Sequence, residues 1–374
     1  MRYILQATDV AGFPAWEAFK DGISATANFL WNGPLTILLL ATGLLLTVMT
    51  AGICLRRIPS SFKMMLRKPD PEHAGEITPF QALATALAAT VGTGNIVGVA
   101  SAIGIGGPGA IFWMWVVAVL GVTTKYAESL LAVQYRTQDS TGAYVGGPMY
   151  YIEHGMGSKW KFLAILFAVG AVFAAFVTGN MTQANAVAGA VSNATGTVAT
   201  DGSVAGGIPR WVTGGVMAAA TFAVIIGGIK GIGKVAEKLI PTMAVIYILF
   251  ALTILIMNFE RIPGAFGDIF SYAFNGQAMT GGFVGAMVIA AIRAGVARGL
   301  YSNEAGQGSA PMAHAAAASR DPVTQARIGM LGTVIDTLII CTMTALVILT
   351  LPGLEFTTVA ELGNGTYKEF QSTA

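Results

Sequence analysis

Apolar residues in this chain gather in long blocks, and neither the alternation of a half-buried strand nor the single stripe of a surface helix runs through them. Read between charged or turn-rich stretches, the blocks fall at 34–55, 78–106, 108–133, 161–191, 211–229, 236–257, 281–300 and 326–350. Most are close to the roughly 20 residues that an α-helix needs to cross a hydrocarbon core of about 30 Å. The pattern predicts an all-α, polytopic membrane protein of eight spans in one transmembrane domain, 1–374. The polar connection at 192–208, rich in Gly, Thr, Ser and Ala, reads as a flexible loop. The basic stretch 56–77 reads either as an amphipathic helix along the membrane surface or as a plain linker.

Composition agrees with this reading. Hydrophobic residues make up 54% of the 374 and charged residues 11%, too few charges to coat a water-soluble surface, for which about a quarter is usual. The net charge of +2 and the lack of a long basic run exclude a nucleic-acid partner. Cys54 and Cys341 sit alone inside apolar blocks, and His73, His154 and His314 have no ligand spacing. The chain therefore reads as holding neither a disulfide nor a bound metal or cofactor. With no paired nucleophile and base and no metal cluster, it does not read as an enzyme. Of the Lys and Arg residues in the connections and at the block ends beside them, fourteen lie on the alternating side beginning with Arg56 and only five on the other side. By the positive-inside rule that bias places the N-terminus outside the cell membrane.

Two blocks are poor sequences for an unbroken helix. At the centre of the second stand Gly92, Thr93, Gly94 and Asn95, two glycines with two polar side chains at mid-membrane depth. Unpaired backbone in hydrocarbon costs several kcal/mol per group, so a break there must line a polar cavity or be buried in protein. Its freed amides and the N-terminus of the following half-helix suit a carboxylate, and its freed carbonyls suit a small cation. The alternative is a glycine seam for helix packing. A second glycine cluster, at Thr280 to Gly285, opens the seventh block five spans later. Paired breaks at matching places in two halves point to a carrier site between inverted repeats. Phe283 within it reads equally as a lid over a ligand or as a core aromatic.

The ionisable residues inside the blocks are costly in lipid and must face protein or water. Lys125 and Glu128, one helical turn apart, read as a structural pair or as a proton relay. Arg293 and Asp336 each need a partner. Glu304, in the polar run 302–309, reads as part of an inner gate or as a helix end with a salt bridge.

The strings GEITPFQALATALAATVGTGNIVGVASAIGIGGPGAIFWMWVVAVLGVTTKYAESLLAVQYR (75–136), YVGGPMYYIEHGMG (144–157) and GVARGLYSNEAGQGSAPMAHAAA (295–317) resemble the alanine/glycine:cation symporter family. The likeness runs from about residue 30 to 352. Val91 to Asn95 is also similar to the broken-helix motif of the sodium:neurotransmitter symporters. The resemblance implies two inverted five-helix repeats behind one extra N-terminal span, the first at 78–257 and the second beginning at 262–350. It implies sodium-coupled symport of a small neutral amino acid, alanine or glycine. Thr90 and Asn95 would then lie by the sodium ion, and the 92–95 backbone, Gln183, Gly282 and Phe283 by the substrate. For Gln183 an interhelical hydrogen bond is the other reading. Members of the family continue beyond the eighth span, whereas 354–374 here is a polar tail, which leaves the second repeat incomplete. The rival functions are an ion or solute channel and a truncated, non-transporting fragment.

Overall fold

A computed structural model describes residues 14–66, 75–198, 204–274, 283–319 and 321–352. Among these, nearly all regular structure is helical. The N-terminal part holds α1 (Pro14–Asn32) and α2 (Pro34–Met49), and within them Phe19–Met49 is apolar enough to cross a membrane. After a short inner helix, α3 (Ile58–Met65), comes a bent pair, α4 (Pro79–Thr90) and α5 (Gly94–Gly106), whose axes differ by 54°. The chain continues through α6 (Gly109–Gln134), the short α7 (Pro148–Met156), and the long α8 (Ser158–Thr195). Then follow α9 (Arg210–Ile225), α10 (Gly228–Met257), α11 (Ile262–Phe274), α12 (Phe283–Asn303), the short α13 (Ser309–Ala315) and α14 (Pro322–Thr350). Among the described residues, five helices are long and apolar enough to span a bilayer, or six if the bent pair is counted as one span. Helix α9, with 16 residues, is shorter, and α12 has 21. The chain is an all-α, multi-pass membrane protein.

Burial separates two kinds of span. In α6 and α14, 61% of the apolar window is buried inside the protein, against 6% in α8, so α6 and α14 form the centre and α8 faces outward. Around them one core cluster joins Val99, Ile103, Ile111, Met114, Ile269 and Leu346. A second joins Leu83 and Leu87 of α4 to Ile240 of α10 and to Ile328 and Leu331 of α14. Small residues bring the helices this close. A Cβ on Gly295 of α12 would strike the Ala110 carbonyl and come within 2.7 Å of Trp113 Cβ. One on Gly109 would meet the backbone of Tyr272 and Ala273 in α11.

Several boundaries differ from the sequence reading. Helix α10 starts at Gly228, so Lys230, Lys234 and Lys238 ride its first turns instead of a connection. The stretch at 192–208 is more ordered than a flexible loop: α8 runs on to Thr195, and a small antiparallel hairpin pairs Thr197 with Ala205 and Val198 with Val204. The basic stretch after α2 forms a helix at α3 and packs inward, where Ser61 is fully buried. Arg327 at the start of α14 donates to Ser60 Oγ at 2.6 Å and to Ser61 Oγ at 3.3 Å.

Candidate functional site

The break between α4 and α5 is made by local sequence. Helix α4 starts firmly, with Pro79 in its first turn and a reciprocal cap in which Thr78 Oγ accepts from Gln81 N–H and Gln81 Oε1 accepts from Thr78 N–H. It stops at Val91, whose backbone is extended (φ −78°, ψ 105°). The chain re-enters a helix as a π-turn at Gly94–Gly98, the wide form that recurs at functional sites. The residues between leave backbone donors that no helix satisfies, and two side chains take them. Gly92 N–H donates to Asn95 Oδ1 at 2.7 Å, and Thr93 N–H donates to Gln183 Oε1 of α8 at 3.0 Å. Gln183 itself follows another π-turn, at Val177–Met181.

Gly92, Thr93 and Gln183 are thus brought together as the resemblance implies, and Gly92 is small for a reason. A Cβ there would come within 2.8 Å of both the Gln183 amide nitrogen and its oxygen. Gly94 meets only the Ser302 Cα at 3.4 Å and the Tyr301 ring at 3.6 Å. Thr90, two residues before the break, is buried, with its hydroxyl turned back to the carbonyls of Ala86 and Leu87 at 3.5 and 3.4 Å. Gly282 and the side chain of Phe283 lie outside the described residues, and only the backbone of Phe283 is seen, opening α12.

Asn95, 1% exposed, turns its amide nitrogen the other way. Nδ2 donates to Asp336 Oδ1 at 2.7 Å, with Ser302 Oγ at 3.1 Å and the Asp336 carbonyl at 3.2 Å. Asp336 is fully buried in a third π-helical stretch, Val334–Cys341 of α14. Its second oxygen accepts from Ser302 Oγ at 2.7 Å and from Thr337 Oγ at 2.8 Å. Cys341 Sγ closes the cluster, 3.3 Å from Ser302 Oγ and from Asn95 Nδ2. Three helices distant in the chain, α5, α12 and α14, therefore meet on one carboxylate. The sequence reading set Asp336 apart as needing a partner but missed Ser302 and Thr337, because hydroxyls near an aspartate say nothing until α12 and α14 are packed.

On the side of the site toward α13, Lys125 and Glu128 each also reach the turn after α12. Lys125 Nζ reaches the Glu304 carbonyl at 3.3 Å, and Glu128 Oε1 accepts from Gly308 N–H at 2.9 Å. Both residues thus hold the turn after α12, in which Glu304 has a positive φ of 52°, and the Ser309 hydroxyl donates to the Glu304 carboxylate. His314, in α13, is held down to about 3 by burial and, secondarily, by Lys125. Arg136 clamps the next segment, donating to the carbonyls of Ala315, Ala317 and Ser319 at 3.1, 2.7 and 3.0 Å while lying 4.2 Å over the Tyr144 ring. Around α4, Lys230 pairs with Glu76 at 2.6 Å and Gln81 Nε2 donates to Glu237 at 2.9 Å.

Among the described residues, the site is a set of backbone donors beside a buried carboxylate. The profile of the sodium:alanine symporter family matches residues 16–369. The chain is 48% identical over 343 residues to the sodium/alanine symporter AgcS of Methanococcus maripaludis, covering 90% of this chain and 72% of that one. It is 47% identical over 327 residues to an uncharacterized transporter of Haemophilus influenzae, covering 87% and 69%. It is also 38% identical over 334 residues to the probable sodium/glutamine symporter GlnT of Bacillus subtilis, covering 89% and 66%. A broken span early in the chain, between Thr90 and Gly94, and likeness along nearly the whole length together say that this chain belongs to the sodium:alanine symporter family, a family of membrane transporters and not of enzymes.

Proposed function

We propose that this protein carries a small neutral amino acid, alanine or glycine, into the cell together with sodium. In this reading the repeats at 78–257 and 262–350 are inverted, the N-terminus is outside the cell membrane, and the pair of substrates is exposed to each side in turn. The observation that carries the proposal is the hydrogen bond from Thr93 N–H to Gln183 Oε1. An amide oxygen from another helix sits on a backbone donor freed by the break, in the place that a carboxylate oxygen of an amino acid would take. The adjacent Gly92 N–H and the half-helix dipole of α5 add to the attraction for a carboxylate. Gln183 would then turn toward the amino acid and bind it directly. Sodium is the cation because the family and the relative AgcS are named for it.

Alanine heads the substrate list by the names of the family and of AgcS, and glycine follows from the resemblance to the alanine/glycine:cation symporters. Gln183→Ala should raise the alanine concentration for half-maximal binding by about tenfold, the worth of one hydrogen bond to a charged group. Binding is read by isothermal titration in detergent. Unchanged alanine affinity in that variant would remove Gln183 from the site.

A further inference from the structure

We propose that the seam where α6, α13 and α14 meet is a built-in water site, in which ordered water bridges His314 and Ser129 beside Gly329 and reaches Gln325 and Thr333, one turn away on either side. The site lies apart from the break, and the proposal does not depend on the carrier reading.

Among the described residues, six buried side-chain nitrogens or oxygens have no hydrogen-bond partner in the protein. Five of them fall on these three helices: Glu128 Oε2 and Ser129 Oγ in α6, His314 Nε2 in α13, and Gln325 Oε1 and Thr333 Oγ in α14. Ser129, His314, Gln325 and Thr333 are fully buried. Gln325, Gly329 and Thr333 follow one another at intervals of four residues, on one face of α14. A Cβ on Gly329 would stand 2.2 Å from Ser129 Oγ and 3.0 Å from His314 Nε2. Two unpartnered atoms from different helices thus come to one place because α14 has no side chain there. Buried polar groups are nearly always paired, since leaving one alone is costly, and five in one seam call for a shared partner.

The pair His314–Gln325 says which partner fits. Gln325 Nε2 and His314 Nδ1 are 2.8 Å apart. With burial holding its pKa at about 3, the ring carries one proton at neutral pH. Where the amide nitrogen donates to Nδ1, that proton is on Nε2, and the groups left over are the Nε2 donor and the Oε1 acceptor. With the amide turned over, Nδ1–H donates to Oε1, and the groups left over are the Nε2 acceptor and the amide donors. Either arrangement leaves both kinds in the seam. A cation answers acceptors alone and an anion donors alone. Water answers both, and the hydroxyls of Ser129 and Thr333 rotate to suit it. The buried polar face of α14 then runs on from Gln325 to Asp336 and Thr337, about three turns.

The test is thermal unfolding of the purified full chain, read beside a density map fine enough to show ordered water. Ser129→Ala and Thr333→Val each remove one hydroxyl and nearly keep the shape. With water in place each variant loses a bond to it and should unfold about 2 °C or more below the parent. In a dry seam the same changes delete an unpaired hydroxyl, and the temperature should hold or rise. A temperature unchanged or raised in Ser129→Ala overturns the site, and the same result in Thr333→Val overturns its reach to Thr333. The map of the unaltered chain decides independently should a variant fail to fold. A peak about 2.7–3.2 Å from both His314 Nε2 and Ser129 Oγ is the expected result. No peak, or one about 2.0–2.1 Å from Nε2, the distance of a metal ion, overturns water as the ligand.

Discussion

Two glycines two residues apart in the same break are not equivalent. A methyl on Gly92 meets the end of the Gln183 side chain at 2.8 Å, and that side chain is able to swing away, at the cost of its bond to Thr93 N–H. A methyl on Gly94 makes only ordinary contact with Ser302 and the Tyr301 ring. Gly92→Ala should therefore leave the unfolding temperature within about 2 °C of the parent, since a surface-like change costs at most ~0.5 kcal/mol, yet weaken alanine binding about tenfold or more. Gly94→Ala should bind alanine as the parent does. Equal losses in the two variants would show that the break serves packing alone. At this scale the sequence was informative where glycine and polar residues interrupted an apolar run, because only a break explains them there. It was silent on Ser302 and Thr337, whose hydroxyls are ordinary in any span and matter only through Asp336. For Lys125 and Glu128 it placed two side chains on one face but did not say that each also bonds the backbone of the turn after α12.

Helix α4 is the element on which the break of the site depends. Its N-terminal end is tied down by Gln81, which closes the cap with Thr78 and also donates to Glu237 of α10, and by the Glu76–Lys230 pair. The lysine side chain of that pair is 65% exposed, so the pair contributes little in water. The cap and the buried end of Gln81 count for more. Gln81→Leu removes both bonds and should destabilise the start of α4 by about 1 kcal/mol. Hydrogen exchange checks this: amides of 79–84 should exchange about fivefold faster while those of α6 stay unchanged. Equal acceleration throughout α4 and α6 would mean that α4 has no independent opening. The capping signals, Thr78 with Gln81 and Pro79 between, were readable in the chain, and so was the start of the helix. The π-turns at 94–98, 177–181 and 334–341 were not. A π-turn differs from an α-turn by one residue in its hydrogen-bond loop, and apolar periodicity does not resolve that. Each nevertheless contains or adjoins a residue of the site: Asn95, Gln183 and Asp336.

At the scale of the whole molecule, composition and block length alone carried the fold class, because a chain with 11% charged residues has nowhere to fold but a membrane. The packing of spans was less legible. The burial of α6 and α14 at the centre follows from which glycines meet which backbones, and block hydropathy ranks α8 and α10, the most apolar spans, where the protein surface and its lipid contacts are. The second glycine cluster, on which the inverted-repeat reading leans, includes Gly282, outside the described residues, so the weight of the site falls on the first break. That break joins the spans α4–α5, α8, α12 and α14 through four side chains, and carriage by alternating access requires that they part and rejoin together.

The central claim is that amino acid and sodium cross as one. Alanine uptake into proteoliposomes containing this chain, compared with and without an inward sodium gradient, tests it most directly. Uptake that requires the gradient and collapses in Asn95→Ala is the predicted result. Uptake indifferent to sodium, or none at all, would contradict it.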